Sequence, residues 1–422
     1  MRAFNTVSGS VAVAGLALCA LLIARAPLAP WPNAAQAQNV KQVEKPAKKK
    51  APAKTTEPKA GPSAEAKPAR QPFTQEDDEA AVVLGLPEAR AWGDSDDEFA
   101  RLLPTAEGPW LAMSGGGSDG AYAAGLLSGL GQSGKRPPFA VVTGASIGAL
   151  LAPFAFLGAK YDDELHNLFT TITAGDIFED RPTPTSLMDS WPLKRTIEKH
   201  ATPQLLADVA AEHRRGRRLL VVTTNLDTGR RMIWNMGVIA ERGDDKALQL
   251  FRDVLLASAS IPGIFPPVAI QAQSNGKQVS ELHNDGTITA PFFIAPESVL
   301  AGTGTVHLPT KEVYVIANAK LSPQFELTTP PTTTVVLGRS IAVALRAGLR
   351  VELLLTLAAA QRQGITVNVA QIDPDFHHPS RGAFDPDYMQ ALYQFGVEQA
   401  KAGKAFETIA ADAPDLRSGI SR

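Results

Sequence analysis

Ala140-Val141-Val142-Thr143-Gly144-Ala145-Ser146-Ile147-Gly148-Ala149-Leu150-Leu151 reads as a strand that turns sharply into a helix. The β-branched run Val141-Val142-Thr143 suits a buried strand, and the apolar run after Gly148 suits a helix. Gly144 and Gly148 flank Ser146 in a G-x-S-x-G spacing. Small flanking residues permit a tight turn that lifts the serine hydroxyl clear of the backbone. The helix N-terminus behind it favours a developing negative charge. With 34 glycines in the chain the spacing alone carries little, so the flanking strand and helix carry the reading. A strand–turn–helix of this kind belongs to an α/β fold and makes Ser146 a candidate nucleophile.

Upstream, Trp110-Leu111-Ala112-Met113 reads as a strand and Ala121-Tyr122-Ala123-Ala124 as a helix. Between them lies Ser114-Gly115-Gly116-Gly117-Ser118-Asp119-Gly120. Glycine amides without side chains can approach an anion closely, and the next helix adds partial positive charge. An oxyanion hole built from Gly115, Gly116, Gly117, Ser118 and Gly120 is one reading; a purely structural turn is another. The stretch also fits the dinucleotide fingerprint G-x-G-x-x-G. That fingerprint expects an acidic residue near the end of the second strand, whereas the first acid after the loop is Asp162.

A serine hydroxyl needs a group to take its proton. Asn284-Asp285-Gly286-Thr287 follows the short strand pattern Val279-Ser280-Glu281-Leu282-His283. Asp285 is therefore a candidate base at the end of an element, with Gly286 and Thr287 completing the turn. A solvated aspartate has a pKa of about 3.9, so this role requires desolvation and a direct bond to the serine. A turn without catalytic function is the alternative. A histidine base would have to come from His307, His377 or His378, which lie in polar loop sequence. His166, His200 and His213 fall in charged helical stretches and read as surface residues, while His283 is close to Asp285 in sequence.

Further apolar runs at 109–113, 139–143, 219–224, 312–318 and 365–371 read as strands. Helical patterns cover 121–131, 147–157, 163–171, 193–199, 251–259, 336–362 and 386–402, the last entered through Asp385 as N-cap. Their alternation predicts an α/β fold with a mostly parallel sheet. The catalytic domain is expected over 106–403, after an irregular lead-in at 73–105 and before a tail at 404–422.

The front end differs. Residues 1–37 read as a secretion signal, with Arg2, an apolar run at 11–24 and Ala35-Gln36-Ala37 as cleavage site. The expected location is the periplasm or the exterior, with membrane association left open. Cys19 is the single cysteine and lies in that leader, so a disulfide framework or thiolate metal site is excluded from the mature chain. Residues 38–72 form a Lys/Pro/Ala-rich linker too polar to bury a core. Its basic charge suits a solvated spacer or peripheral contact with an anionic membrane surface. From Phe73 onward there are 30 basic and 40 acidic residues, a balance of −10 that argues against a nucleic-acid partner.

The ordered triple of glycine loop, G-x-S-x-G and Asn-Asp-Gly-Thr resembles the patatin-like phospholipases. A fourth stretch, Ala257-Ser258-Ala259-Ser260-Ile261-Pro262-Gly263-Ile264-Phe265-Pro266-Pro267, is similar to that family's Ala-Ser-x-x-x-Pro-x-x-Phe-Pro-Pro segment. Thr224-Asn225-Leu226-Asp227-Thr228-Gly229-Arg230 is similar to its strand–turn–strand. The resemblance implies a three-layer α/β/α fold and hydrolysis of phospholipid or related acyl esters, with no cofactor or metal. It implies Ser146 as nucleophile, Asp285 as its base, and amides near Gly116 and Gly117 as oxyanion hole. The alternatives kept beside it are an α/β-hydrolase with a histidine-containing triad and an inactive lipid-binding protein. Ile264, Phe265 and the apolar face of the 147–157 helix are candidates for an acyl channel. Two positions depart from the family pattern: Asp119 stands where a basic residue is usual, and Thr287 where Gly or Ala is usual.

Overall fold

The fold is described from a computed structural model that covers residues 70–409. The leader at 1–37 and nearly all of the linker lie outside the described residues, as does the tail beyond 409.

Ten strands form one mixed sheet: β1 Arg90–Trp92, β2 Trp110–Met113, β3 Val141–Gly144, β4 Arg218–Asn225, β5 Arg230–Asn235, β6 Val268–Ser274, β7 Lys277–Asp285, β8 Glu312–Ala317, β9 Thr366–Gln371 and β10 Glu407–Ile409. The spatial order is β1-β5-β4-β3-β2-β8-β9-β10, with β7 added to β4 and β6 to β7. The central five, β4-β3-β2-β8-β9, are parallel. Every residue of β2 and β3 is buried, as expected for strands covered on both faces.

Among the described residues, eight helices of eight residues or more accompany it: α1 Gly120–Gln132, α2 Ile147–Leu157, α3 Asp162–Thr171, α4 Trp191–His200, α5 Pro203–Arg214, α6 Asp245–Ser258, α7 Thr333–Gln363 and α8 Pro386–Ala402. Two apolar cores lie on opposite faces of the sheet. One joins Leu126, Leu151, Phe156, Val209, Phe251 and Leu392 from α1, α2, α5, α6 and α8. The other joins Phe99, Phe292, Phe293, Leu349, Leu353 and Leu357, the last three from α7. The arrangement is the expected three-layer α/β/α fold with a mostly parallel sheet centre.

Helices α1 and α8 pack backbone to backbone. A Cβ on Gly125 would strike the Tyr393 carbonyl, and one on Gly129 would lie 2.7 Å from the Val397 carbonyl oxygen. This close approach anchors the helix that leaves the glycine loop. Asp385 caps α8 as its sequence suggests, its side chain accepting from the Asp387 N–H.

Two expectations change. The lead-in is part of the sheet: β1 pairs antiparallel with β5, and Phe99 is buried in the second core. The start of the expected tail also joins it, because β10 pairs with β9. The segment 203–214 is an amphipathic helix, α5, started by a Thr202 cap that accepts from the Leu205 N–H. No described helix is long and apolar enough to cross a membrane.

Candidate active site

Strands β2 and β3 are neighbours in register, with Met113 opposite Gly144. The glycine loop and the Ser146 turn therefore leave the sheet side by side, at its carboxyl edge, where α/β folds place their sites. Ser146 has φ 56° and ψ −128°, a conformation that a side chain makes costly. The turn is held against that cost from two sides. The Ser146 N–H donates to Ser258 Oγ at 3.1 Å, and Ser258 Oγ donates to the Val222 carbonyl at 2.6 Å. Gly144 and Gly148 face each other so closely that a Cβ on Gly144 would collide with the Gly148 carbonyl.

Strand β3 ends at Gly144, opposite Val221, but β4 continues to Asn225. The vacated edge of β4 is taken by β7, which pairs Asp285 with Thr223. This substitution of one strand for another carries Asp285 to the serine. Ser146 Oγ donates to Asp285 Oδ2 at 2.7 Å. The other carboxylate oxygen, Oδ1, accepts from the Thr287 N–H at 2.9 Å and the Thr287 hydroxyl at 2.6 Å. The Asp285 N–H donates to the Ser260 carbonyl at 2.9 Å. Thr287 is thus more than a tolerated enlargement: a Gly or Ala could not supply its hydroxyl bond.

Asp285 is 1% exposed. Burial pushes its carboxyl up to about 6, against the Thr287 hydroxyl, the Ser146 hydroxyl and the Thr287 amide, which pull it down. The carboxylate is accordingly a stronger base than a solvated aspartate while still ionised at neutral pH.

The glycine loop is clamped from β8. Asn318 donates through its N–H to Ser114 Oγ and through Nδ2 to the Ser114 carbonyl, both at 2.9 Å. The candidate donors separate. The Gly115 N–H is occupied by the Pro291 carbonyl at 3.3 Å, and the Gly120 N–H turns to the Gly117 and Ser118 carbonyls. Ser118 accepts from the Phe384 N–H at 2.7 Å, and neither it nor Gly120 lines the cavity. As donors, Gly115, Ser118 and Gly120 are therefore corrected to structural parts of the loop. The Gly116 and Gly117 amides carry no hydrogen bond among the described residues.

These groups border a cavity of about 300 Å³ lined by the loop, Ser146, Asp285, Thr287, Ile261, Ile264 and α7. Of the acyl-channel candidates only Ile264 lines it. Phe265 is buried in the first core, and Leu150, Pro153 and Phe154 of α2 border a separate cavity of about 40 Å³.

The histidines do not converge on the serine. His307, His377 and His378 are exposed. His283 is fully buried and engaged elsewhere: Nδ1 bonds Thr223 Oγ1 at 2.9 Å and Nε2 bonds Glu281 at 3.0 Å, beside the Arg90–Glu281 ion pair. His213, expected at the surface, packs its ring on Gly237, and burial pushes it down to about 4. His200 is likewise half-buried.

No sequence motif singles out Asn318, Tyr388, whose hydroxyl donates to Asp119 Oδ1 at 2.7 Å, or Arg346, which lines the cavity from α7. Ser258 and Ser260 were in view only as part of the Ala-Ser-rich segment. An asparagine closing the apolar run 312–318 was a usable signal; the others carry none in one dimension.

Residues 111–296 match a family model described as Patatin-like phospholipase. Among solved structures the chain is similar to VipD from Legionella pneumophila at 13% identity, covering 73% of this chain and 69% of that one with a TM-score of 0.32. No curated protein matches the chain. The likeness to the patatin-like phospholipases thus spans the stretch that holds the glycine loop, Ser146 and Asp285.

Proposed function

We propose that this protein hydrolyses carboxylic esters of lipids through Ser146 and Asp285. The observation that carries the reading is the 2.7 Å bond from Ser146 Oγ to a buried carboxylate, with two unbonded loop amides in the same cavity. As Oγ attacks an acyl carbonyl, Asp285 takes its proton. The carbonyl oxygen becomes an oxyanion facing the Gly116 and Gly117 amides, and such donors are worth about 10²–10³ in rate each. Collapse expels the alcohol, which takes the proton back from Asp285. Water then enters, gives its proton to Asp285 and attacks the acyl-enzyme, and the released serine regains that proton as the fatty acid leaves. A lipid substrate suits the apolar cavity wall, and the same α7 exposes Val336, Leu337 and Val343 next to the cavity-lining Gly338 and Ala342.

Fatty-acid release from a short-chain nitrophenyl ester and from phospholipid vesicles tests it. Wild type is expected to release product and Ser146→Ala none. No release by a folded wild type contradicts the enzyme and favours a lipid-binding role.

The pH profile follows from Asp285. Its base form is the carboxylate, and burial raises the folded pKa to about 6. On an uncharged ester, kcat/KM should be flat above pH 7 and fall about tenfold per unit well below 6. Asp119 titrates in the same range. The Asp119→Asn variant should keep the profile; a profile that vanishes with it would assign the titration to Asp119.

The proposal includes export, supported by the leader-like residues 1–37. N-terminal sequencing of the mature chain should begin near Gln38, and an intact Met1 on the processed protein would contradict it.

A further inference from the structure

The glycine loop is fastened at both ends. Its entrance is clamped by Asn318 through Ser114. Its exit is the short turn Gly117–Asp119, which leads into α1 and meets the entry to α8. There the Phe384 N–H donates to Ser118 Oγ and the Tyr388 hydroxyl donates to Asp119 Oδ1, both at 2.7 Å. The Gly116 and Gly117 amides lie between these two fastenings. The Asp119 N–H donates to the Gly116 carbonyl at 3.1 Å, so a shift of Asp119 reaches Gly116 through a single turn of backbone.

The entry to α8 is built to hold still. Phe384 has φ +54°, a costly conformation for a residue with a side chain. The Asp385 carboxylate beside it accepts from the Arg381 N–H at 2.8 Å, Nε at 3.1 Å and Nη2 at 2.8 Å. The Tyr388 ring packs edge-on to Phe376, with centroids 6.2 Å apart. Burial and the Asp119 carboxylate hold the Tyr388 hydroxyl far above the ordinary tyrosine range, so it stays a donor. Asp119 has no other donor among the described residues. Arg346 and Lys320 act on it only from a distance, and Lys320 spends its ammonium on the Pro374 and Phe376 carbonyls, at 2.9 and 2.7 Å. A hydroxyl bonded to a carboxylate belongs to the strong class of hydrogen bonds. Asp119 lines the cavity, whereas Tyr388 does not.

We infer that Tyr388 is a positioning residue for ester hydrolysis: through Asp119 it fixes the rear of the glycine loop and so aims the Gly116 and Gly117 amides at the oxyanion. The inference rests on the ester-hydrolase reading above. Neither side chain bonds Ser146, and the effect passes through the backbone of the loop. Asp119 then serves as the acceptor that this tyrosine requires.

The test separates transition-state from ground-state binding in the full chain. Tyr388→Phe removes only the hydroxyl and keeps the ring against Phe376. Its kcat on a short-chain nitrophenyl ester should fall about 10- to 50-fold, short of the loss of a whole oxyanion donor, with KM within about twofold. An alkyl trifluoromethyl ketone reports on the oxyanion directly: Ser146 Oγ adds to its carbonyl, the hydroxyl proton passes to Asp285, and the ketone oxygen becomes negative. Its binding should weaken by a similar factor in Tyr388→Phe, whereas the non-hydrolysable ether analogue of the ester should bind within about twofold of wild type. Asp119→Asn, whose carboxamide oxygen still accepts from Tyr388, should retain most of the rate. Asp119→Ala should fall as far as Tyr388→Phe, and the double variant no further. Urea unfolding of each variant checks that it is folded. Three outcomes overturn the inference: an unchanged kcat in folded Tyr388→Phe, equal weakening of ketone and ether, which would make Tyr388 a packing residue, or additive losses in the double variant. A wild type that neither hydrolyses the ester nor binds the ketone removes the ester reading and this inference together. An active wild type with an unaffected Tyr388→Phe removes this inference alone.

Discussion

Asp285→Asn is expected to reduce ester hydrolysis on the order of 10⁴-fold, the scale seen when a catalytic carboxylate or its partner is removed. The carboxamide keeps the shape and can still meet Thr287, but it cannot take the proton from Ser146 Oγ, now 2.7 Å from Asp285 Oδ2. His307→Ala, His377→Ala and His378→Ala should each stay within about twofold of wild type, because all three are exposed and none bonds the serine. Loss of folding would be a trivial cause, and the charge of Asp285 argues against it. Its folded pKa, about 6, lies above the ordinary aspartate value of 3.8. The favourable contribution of burying the neutral acid is present below the unfolded pKa and lost as pH rises through 6. At pH 8 the buried carboxylate therefore opposes folding, and Asp285→Asn should unfold at equal or higher urea concentration than wild type. Full activity in this variant, or its loss in a histidine variant, would move the proton acceptor elsewhere.

Gly148→Ala should cost about 100-fold in kcat/KM, together with about 1–3 kcal/mol of stability. A Cβ there would press on the Met113 carbonyl and lie 2.8 Å from the Ser114 carbonyl oxygen. Both obstacles are backbone, in the strand and loop that carry the oxyanion donors, so neither can swing aside as a side chain would. The clash is relieved only by separating the serine turn from the glycine loop, and an ångström of misplacement is enough to weaken catalysis strongly. Gly134→Ala is the control. Gly134 has φ +68° with nothing within 4 Å of its Cβ position, so its replacement carries only local backbone strain and should leave activity intact. Wild-type rates for Gly148→Ala would mean that the turn tolerates far more movement than its packing implies.

Much of this site was legible in one dimension because its parts are local. A β-branched run, two glycines and an apolar helix around Ser146 are contiguous, and so are the glycine loop and the Asn284–Thr287 turn. Each announces its geometry through backbone preferences of neighbouring residues. Helix α2 matches its expected span, as does α8 with its Asp385 cap. Edge elements were less legible. Strand β1 is three residues long, and β6 alternates buried and exposed positions as an outlying hairpin, without the apolar run of a central strand. His213 reads as a surface residue and is half-buried because Gly237, 24 positions away, leaves room for its ring.

The α/β class, the serine turn and the candidate carboxylate are written in short stretches of sequence, because strand, turn and helix signals act over a few neighbouring residues. Which of these groups meet depends on long-range pairing. Strand β7 replaces β3 along β4 and so delivers Asp285 across 139 positions of chain. Asn318 clamps a loop 204 positions earlier. Arg346 faces a cavity whose other wall is the glycine loop. These pairings arise from strand register and from burial on the two faces of the sheet, which no local pattern records.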